Sequence, residues 1–176
     1  MKIVPFFFTE QSIQQKFAFL IAGNQSVVDL SGLAVLSNND TIKVETSQRH
    51  QGVGTKSSIN VLTLVDGKGS FDYEGIIHIE EQASDTDANQ QNKNILLSET
   101  ASVKSIPTIE VLNKNVQCFH GSAMGKFDVD QAWYLQSRGL EKEEVQKVLI
   151  DSFCDPVIGL VPWKKELQNK IQRKIT

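Results

Sequence analysis

The chain has 176 residues, with 18 Lys and Arg against 21 Asp and Glu, for a formal net charge of −3. That length suits one domain, and 40% hydrophobic residues with only 4 Pro exclude an intrinsically disordered chain. The near-neutral balance lacks the clustered surplus of Lys and Arg that phosphate affinity needs, so no nucleic-acid partner is expected.

Met1-Lys2-Ile3-Val4-Pro5-Phe6-Phe7-Phe8 opens with a lysine and an apolar run too short for a signal-peptide core; no small-residue cleavage site follows, and the segment reads as a strand. From there to about Cys118 the chain is a succession of short β-prone runs, at 3–8, 16–22, 27–36, 41–46, 59–65, 75–80, 94–97 and 108–112. Turn residues such as Gly23-Asn24, Asn38-Asn39-Asp40 and Asp66-Gly67-Lys68-Gly69 separate them. The alternation in Ile42-Lys43-Val44-Glu45 and Ile77-His78-Ile79-Glu80 puts apolar and polar side chains on opposite sheet faces. Such runs fit a sandwich, a barrel or a solenoid, and no strict internal repeat is visible to choose among them. Asp85 to Asn94, rich in Asn and Gln, reads by composition as a solvated loop. Gly54-Thr55-Lys56-Ser57 and Gly67-Lys68-Gly69 lack the spacing of a phosphate loop and read as turns.

Past Gly125 the pattern becomes helical. Asp128 with Gln131 three residues on is a capping-box arrangement, and the helix it starts runs to Gly139, whose missing Cβ suits a left-handed C′ position. Glu141 to Phe153 places Val145, Val148, Leu149, Ser152 and Phe153 at helical spacing behind an acidic first turn, and Pro156 is expected to end this helix. A last helix, Trp163 to Ile175, has Leu167 and Ile171 on one side. Five basic residues against Glu166 give it a net charge of +4, so the rest of the chain carries −7 and this helix is a candidate polar docking end.

The chemistry-bearing stretch is Val116-Gln117-Cys118-Phe119-His120-Gly121-Ser122-Ala123. On a strand, the i, i+2 spacing of Cys118 and His120 sends both side chains to one face, about 7 Å apart at Cα. Thiolate and imidazole together suit zinc, iron or an iron–sulfur cluster, although two ligands are not a site. The same pair also reads as a nucleophile couple without an orienting third residue, or as a small buried Cys and a hydrogen-bonded His at the end of a β-stack. His50 and His78 read as surface or satisfied histidines, and Cys154 as an inert thiol near a helix C-terminus. Two cysteines make no disulfide framework, and no window nears the roughly 18 apolar residues of a membrane span, so reduced thiols and a cytoplasmic location are expected.

Five ordered blocks carry a resemblance. Thr86-Asp87-Ala88-Asn89-Gln90-Gln91-Asn92, Asn94-Ile95-Leu96-Leu97-Ser98, Pro107-Thr108-Ile109-Glu110-Val111, Cys118-Phe119-His120-Gly121-Ser122-Ala123 and Tyr134-Leu135-Gln136-Ser137-Arg138-Gly139-Leu140 resemble the SufB/SufD family of iron–sulfur cluster assembly scaffolds. The resemblance implies a mainly β fold, a right-handed parallel β-helix or β-solenoid over 1–125, followed by a small C-terminal α-helical region over 126–176 in the same compact unit. It replaces the loop reading of the Asn/Gln stretch. It also implies a noncatalytic scaffold that pairs with a SufB/SufD-type partner or with itself, and docks a SufC-type ATPase through its helices, with Tyr134, Arg138 and Gly139 as partner-binding residues. A transient iron–sulfur cluster at the partner interface, with Cys118 and His120 as cofactor-binding residues, follows from the same likeness. SufB-like members carry a cysteine ahead of the segment matching Ile106-Pro107 and a glutamate after the His; here Ala101 to Pro107 has no thiol and residue 121 is Gly, which is SufD-like. By the same resemblance the chain is a shortened member. The readings set against this are a metal- or thiol-dependent enzyme using Cys118 and His120, and a degenerate structural homologue that only binds a partner.

Overall fold

The computed structural model describes residues 1–175. Two short strands, β1 (Lys2–Ile3) and β2 (Phe6–Phe8), precede β3 (Ser12–Ile21), β4 (Val27–Leu36), β5 (Thr41–His50), β6 (Lys56–Val65), β7 (Ser70–Ile79), β8 (Thr86–Leu96), β9 (Ser102–Val111) and β10 (Val116–Gly125). Helices α1 (Val129–Ser137), α2 (Lys142–Ile158) and α3 (Lys164–Ile175) follow. Every strand pairing is parallel, and from β3 on successive strands alternate between two sheets. One sheet runs β4-β6-β8-β10, with β1 and β2 paired to β4; the other runs β3-β5-β7-β9. The chain is therefore a parallel β-solenoid trailed by three helices, and each turn contributes one strand to each sheet.

A repeat exists, but of register rather than of identity. Ile42 pairs with both Ile13 and Phe71, 29 residues away on either side, and Ile59 lies 29 residues beyond its partner Leu30. From β7 to β9 the step lengthens to 32, as Phe71 pairs with Val103. The inward position needs only a side chain that fits the stack, so Ile, Phe and Val succeed one another in one column and leave no visible sequence repeat. Between the sheets the interior is packed by Leu30, Ile42, Val44, Ile59, Val61, Phe71 and Tyr73, all buried. Burying apolar area at roughly 25 cal/mol per Å² makes this packing the main source of stability.

The Asn/Gln stretch is a strand, and the composition-based loop reading is corrected. Gln90, Asn92 and Asn94 point into the solenoid and are at most 1% exposed. Their amides are held within the stack: Asn94 Nδ2 donates to Asn92 Oδ1 at 2.7 Å, and Asn92 Nδ2 to the Val61 carbonyl at 3.1 Å. Lys56 and Ser57, expected in a turn, open β6.

The outer face of the β4-containing sheet is covered by α2 and α3. Leu33, Val35, Leu62 and Leu64 meet Ile150, Cys154, Val157, Ile158, Leu167 and Ile171 in a second buried cluster. Pro156 does not end α2; the helix continues to Ile158 and closes at Gly159, whose N–H reaches the Asp155 carbonyl at 2.9 Å. Losing one amide donor in the last turn costs less than exposing Val157 and Ile158, both fully buried against the sheet. The periodic residues Val148, Leu149 and Ser152 instead face α1, so α2 is apolar on two sides. The basic helix is not a free docking end throughout, because Lys174 pairs with the buried Asp40 carboxylate at 2.9 Å and bonds to the Thr9 carbonyl, while Lys170 lies 4.6 Å from the Phe8 ring centroid.

Candidate functional site

The solenoid stops at β9 and β10. Among the described residues β9 pairs only with β7 and β10 only with β8, so the last turn presents unpaired strand edges. Cys118 and His120 lie on β10 in the column that faces inward, directly over Ala88 and Gln90 of β8. The spacing argument thus places both on one face, as expected. Cys118 is half-buried and packs with Ile77, Ile79, Ala83, Ala88, Ile109 and Val116. That apolar surrounding pushes its thiol pKa up, because desolvation disfavours the thiolate. His120 is also half-buried, and its Nδ1 is a buried atom without a hydrogen-bond partner. Between them Phe119 points outward, 55% exposed, with its ring against Gly121.

The other histidines and the second thiol are differently placed. His50 is fully buried on β5, with Nδ1 2.8 Å from Thr55 Oγ1 and Nε2 2.8 Å from Ser57 Oγ. Burial lowers its pKa to about 4. His78 lies on the outer face, 2.8 Å from Glu110 Oε2, in a surface ladder where Arg49 meets Glu80 at 2.5 Å and holds that carboxyl below its ordinary value. Cys154 is buried in α2, its pKa pushed up to about 12 by burial and by the nearby Asp151 carboxylate. Among the described residues no three His, Cys, Asp or Glu side chains gather as a metal site. Cys118 Sγ and the His120 ring are the two groups of this edge whose donor types could serve a metal, and two donors are not a site.

The second group of expected site residues is on α1. Its Asp128 N-cap accepts from the Asp130 N–H at 2.9 Å rather than from the N–H of Gln131, as a capping box would require. Gly139 adopts φ +97°, the left-handed geometry expected of it. Tyr134 is exposed and Arg138 stacks 5.7 Å from its ring centroid. No residue of α1 is buried, and a groove lined by Asp130, Gln131, Tyr134, Leu135, Val148, Leu149 and Ser152 runs between α1 and α2. The fold does not join the two groups: β10 packs on β8 and β9, and α1 on α2. Sequence reasoning missed Trp133, 70% exposed beside Tyr134, although a Trp on a helix that offers no apolar stripe was a usable signal. It also missed Gln48 and Gln90, which touch the inward column below His120; nothing local marks an Asn/Gln run as interior.

The fold is thus a parallel solenoid that carries a cysteine and a histidine on its open last turn and is trailed by an exposed helix. The chain belongs to the family described as SUF system FeS cluster assembly, SufBD core domain, whose model matches residues 1–153. It is 30% identical over 132 residues to the iron–sulfur cluster assembly protein SufD of Escherichia coli, covering 75% of this chain and 31% of that protein. It is 30% identical over 156 residues to SufD of Bacillus subtilis, covering 87% and 36% respectively. A match to the chloroplastic protein ABCI7 of Arabidopsis thaliana is 26% identical over 122 residues, covering 69% and 26%. The chain thus spans between a quarter and somewhat over a third of these relatives' length. No helix among the described residues is long and apolar enough to cross a membrane.

Proposed function

We propose that the chain is a SufD-like, noncatalytic scaffold component of iron–sulfur cluster assembly that works by pairing. The observation that carries this reading is the unpaired last turn, where Cys118 and His120 lie half-buried on β10, the strand whose outer edge is free, within the family-matched span. A strand edge is a template for another strand, so a SufB/SufD-type partner or a second copy adds its edge to β9 or β10 and closes the half-buried column. The transient cluster is cargo at that junction. Burial raises the Cys118 thiol pKa, so a metal that takes this thiol as a ligand must displace its proton. Tyr134, Arg138 and Gly139, with the groove between α1 and α2, form the dock for a SufC-type ATPase.

Anaerobic reconstitution with a SufB-type protein and a SufC-type ATPase, followed by size exclusion and iron and sulfide analysis, tests the reading. A ternary complex is expected, and His120→Ala is expected to lower cluster yield without unfolding the chain. Failure to form any complex overturns the scaffold role. Metal retained by the isolated chain, with turnover of its own, favours an enzyme instead; a normal complex and yield with both Cys118 and His120 replaced leaves a structural partner alone.

A further inference from the structure

We propose that Gln90, held by Gln48 and seated on Gly75, is a positioning residue for His120: its amide N–H is the direct donor for His120 Nδ1. This rests on the proposed assembly role for its consequence, though not for its geometry. His120 and Gln90 are partners in register on adjacent strands and face inward together. Neighbouring strands lie about 4.8 Å apart, within reach of a small rotation of the half-buried His120 ring toward the fixed amide. Gln90 is 1% exposed, and its Oε1 accepts from Gln48 Nε2 at 3.2 Å. Its own Nε2 is left buried without a partner, as are Gln48 Oε1 across the interior and His120 Nδ1 one strand above, and of these two acceptors His120 Nδ1 is the one in Gln90's own column. Two orphaned polar atoms in one column, each costly alone, are complementary if one donates and the other accepts.

The seat is specific. A Cβ at Gly75 would stand 2.3 Å from Gln90 Nε2 and 2.6 Å from its Cδ, so the amide lies flat against a backbone that only glycine leaves bare. Gly75 sits in the middle of β7, where glycine otherwise weakens a strand. The close approach of the Gln90 amide accounts for it.

The consequence concerns what His120 does. A neutral imidazole that accepts at Nδ1 carries its proton on Nε2. Neither nitrogen then offers a lone pair to iron, and His120 serves the junction as an N–H donor to sulfide or thiolate while Cys118 remains the ligand. Side-chain 15N correlation spectra of the whole chain at one alkaline pH read the tautomer, with His120→Asn assigning the signals. The wild type is expected to show a single Nε2–H form. Gln90→Glu, which presents an acceptor, should invert it to Nδ1–H; Gln90→Met and Gly75→Ala, which remove or displace the donor, should give a mixture. Should Gln90→Glu not fold, the other two still decide, with thermal melts confirming that they are native. An Nδ1–H wild type, or a tautomer indifferent to folded Gln90→Met and Gly75→Ala variants, overturns the positioning role. A tautomer that responds while cluster yield stays constant keeps the positioning and removes His120 from assembly, so the two readings fail separately.

Discussion

The turn built from β5 and β6 and the turn built from β9 and β10 follow the same inward–outward alternation and end differently. Ile42, Val44, Ile59 and Val61 are sealed, whereas Val103, Ser105, Ile109, Cys118 and His120 in equivalent columns stay half-exposed. Neighbours decide the difference: β5 and β6 are paired on both edges, β9 and β10 on one. Burial in a solenoid therefore belongs to a position in the stack rather than to a residue type. The interior chemistry shifts accordingly, from aliphatic columns to Gln90, Asn92 and Asn94, then to Cys118 and His120 at the open end.

The sharpest test of that comparison uses one residue type in one column. Ile77 is fully buried, and Ile109 is its register partner one turn on, half-buried. Ile77→Ala should cost about 2–5 kcal/mol in urea unfolding, and Ile109→Ala less than half as much, because solvent and relaxation fill the space it leaves. Adding the strand-pairing partner should narrow the gap, since a covered Ile109 becomes interior. Equal costs in the isolated chain would break the comparison.

His50 gives the next effect, a dependence on pH. Its folded pKa of about 4 lies below the ordinary 6.5, so between these values the unfolded chain binds a proton that the folded chain does not. Stability then falls as pH drops through that window and is fully present above it. Between pH 6.5 and 5 the loss should approach about 2 kcal/mol. His50→Gln, which can still bond to Thr55 and Ser57, should flatten this part of the profile. An unchanged slope in the variant would place the titrating group elsewhere. Tyr73→Phe should follow at about 1–2 kcal/mol, as it removes the phenol 2.8 Å from Thr46 Oγ1 and strands a buried hydroxyl; calorimetry reads the shift.

Strand existence was legible where alternation was strong, as at Ile42 to Glu45, and so were the helix starts at Asp128 and Glu141. The solenoid was legible only through the family resemblance of the five ordered blocks, as borne out by the fold, and not through periodicity. A register of 29 residues constrains side-chain fit in each column, and Ile13, Ile42, Phe71 and Val103 satisfy it without resembling a repeat. Cys118 and His120 were legible as a pair on one face, but Gln48, Gly75 and Gln90 were not, because their contacts join β5, β7 and β8 across the interior. Pro156 misled because its local cost is outweighed by burial that only the sheet behind α2 supplies.

The smallest effect on stability is expected where the most aromatic surface is exposed. α1 buries none of its residues, and Trp133 and Tyr134 are 70% and 56% exposed. Trp133→Ala should leave the stability within about 0.5 kcal/mol of wild type, as exposed substitutions do, and Tyr134→Ala within about 1 kcal/mol because it also loses the Arg138 contact. Arg138→Ala loses only a surface cation–π contact, worth roughly 0.5–1 kcal/mol. Function should respond in the opposite order. If this helix is the ATPase dock, Trp and Tyr are the anchor types that carry interface energy, and each alanine variant should weaken binding tenfold or more in calorimetric titration. The same variants should leave strand pairing at β9 and β10 untouched, since α1 packs on α2 and not on that edge. Undiminished ATPase binding by the Trp133→Ala, Tyr134→Ala double variant would move the dock off α1, while loss of both interactions together would show that the helix and the open turn are one surface.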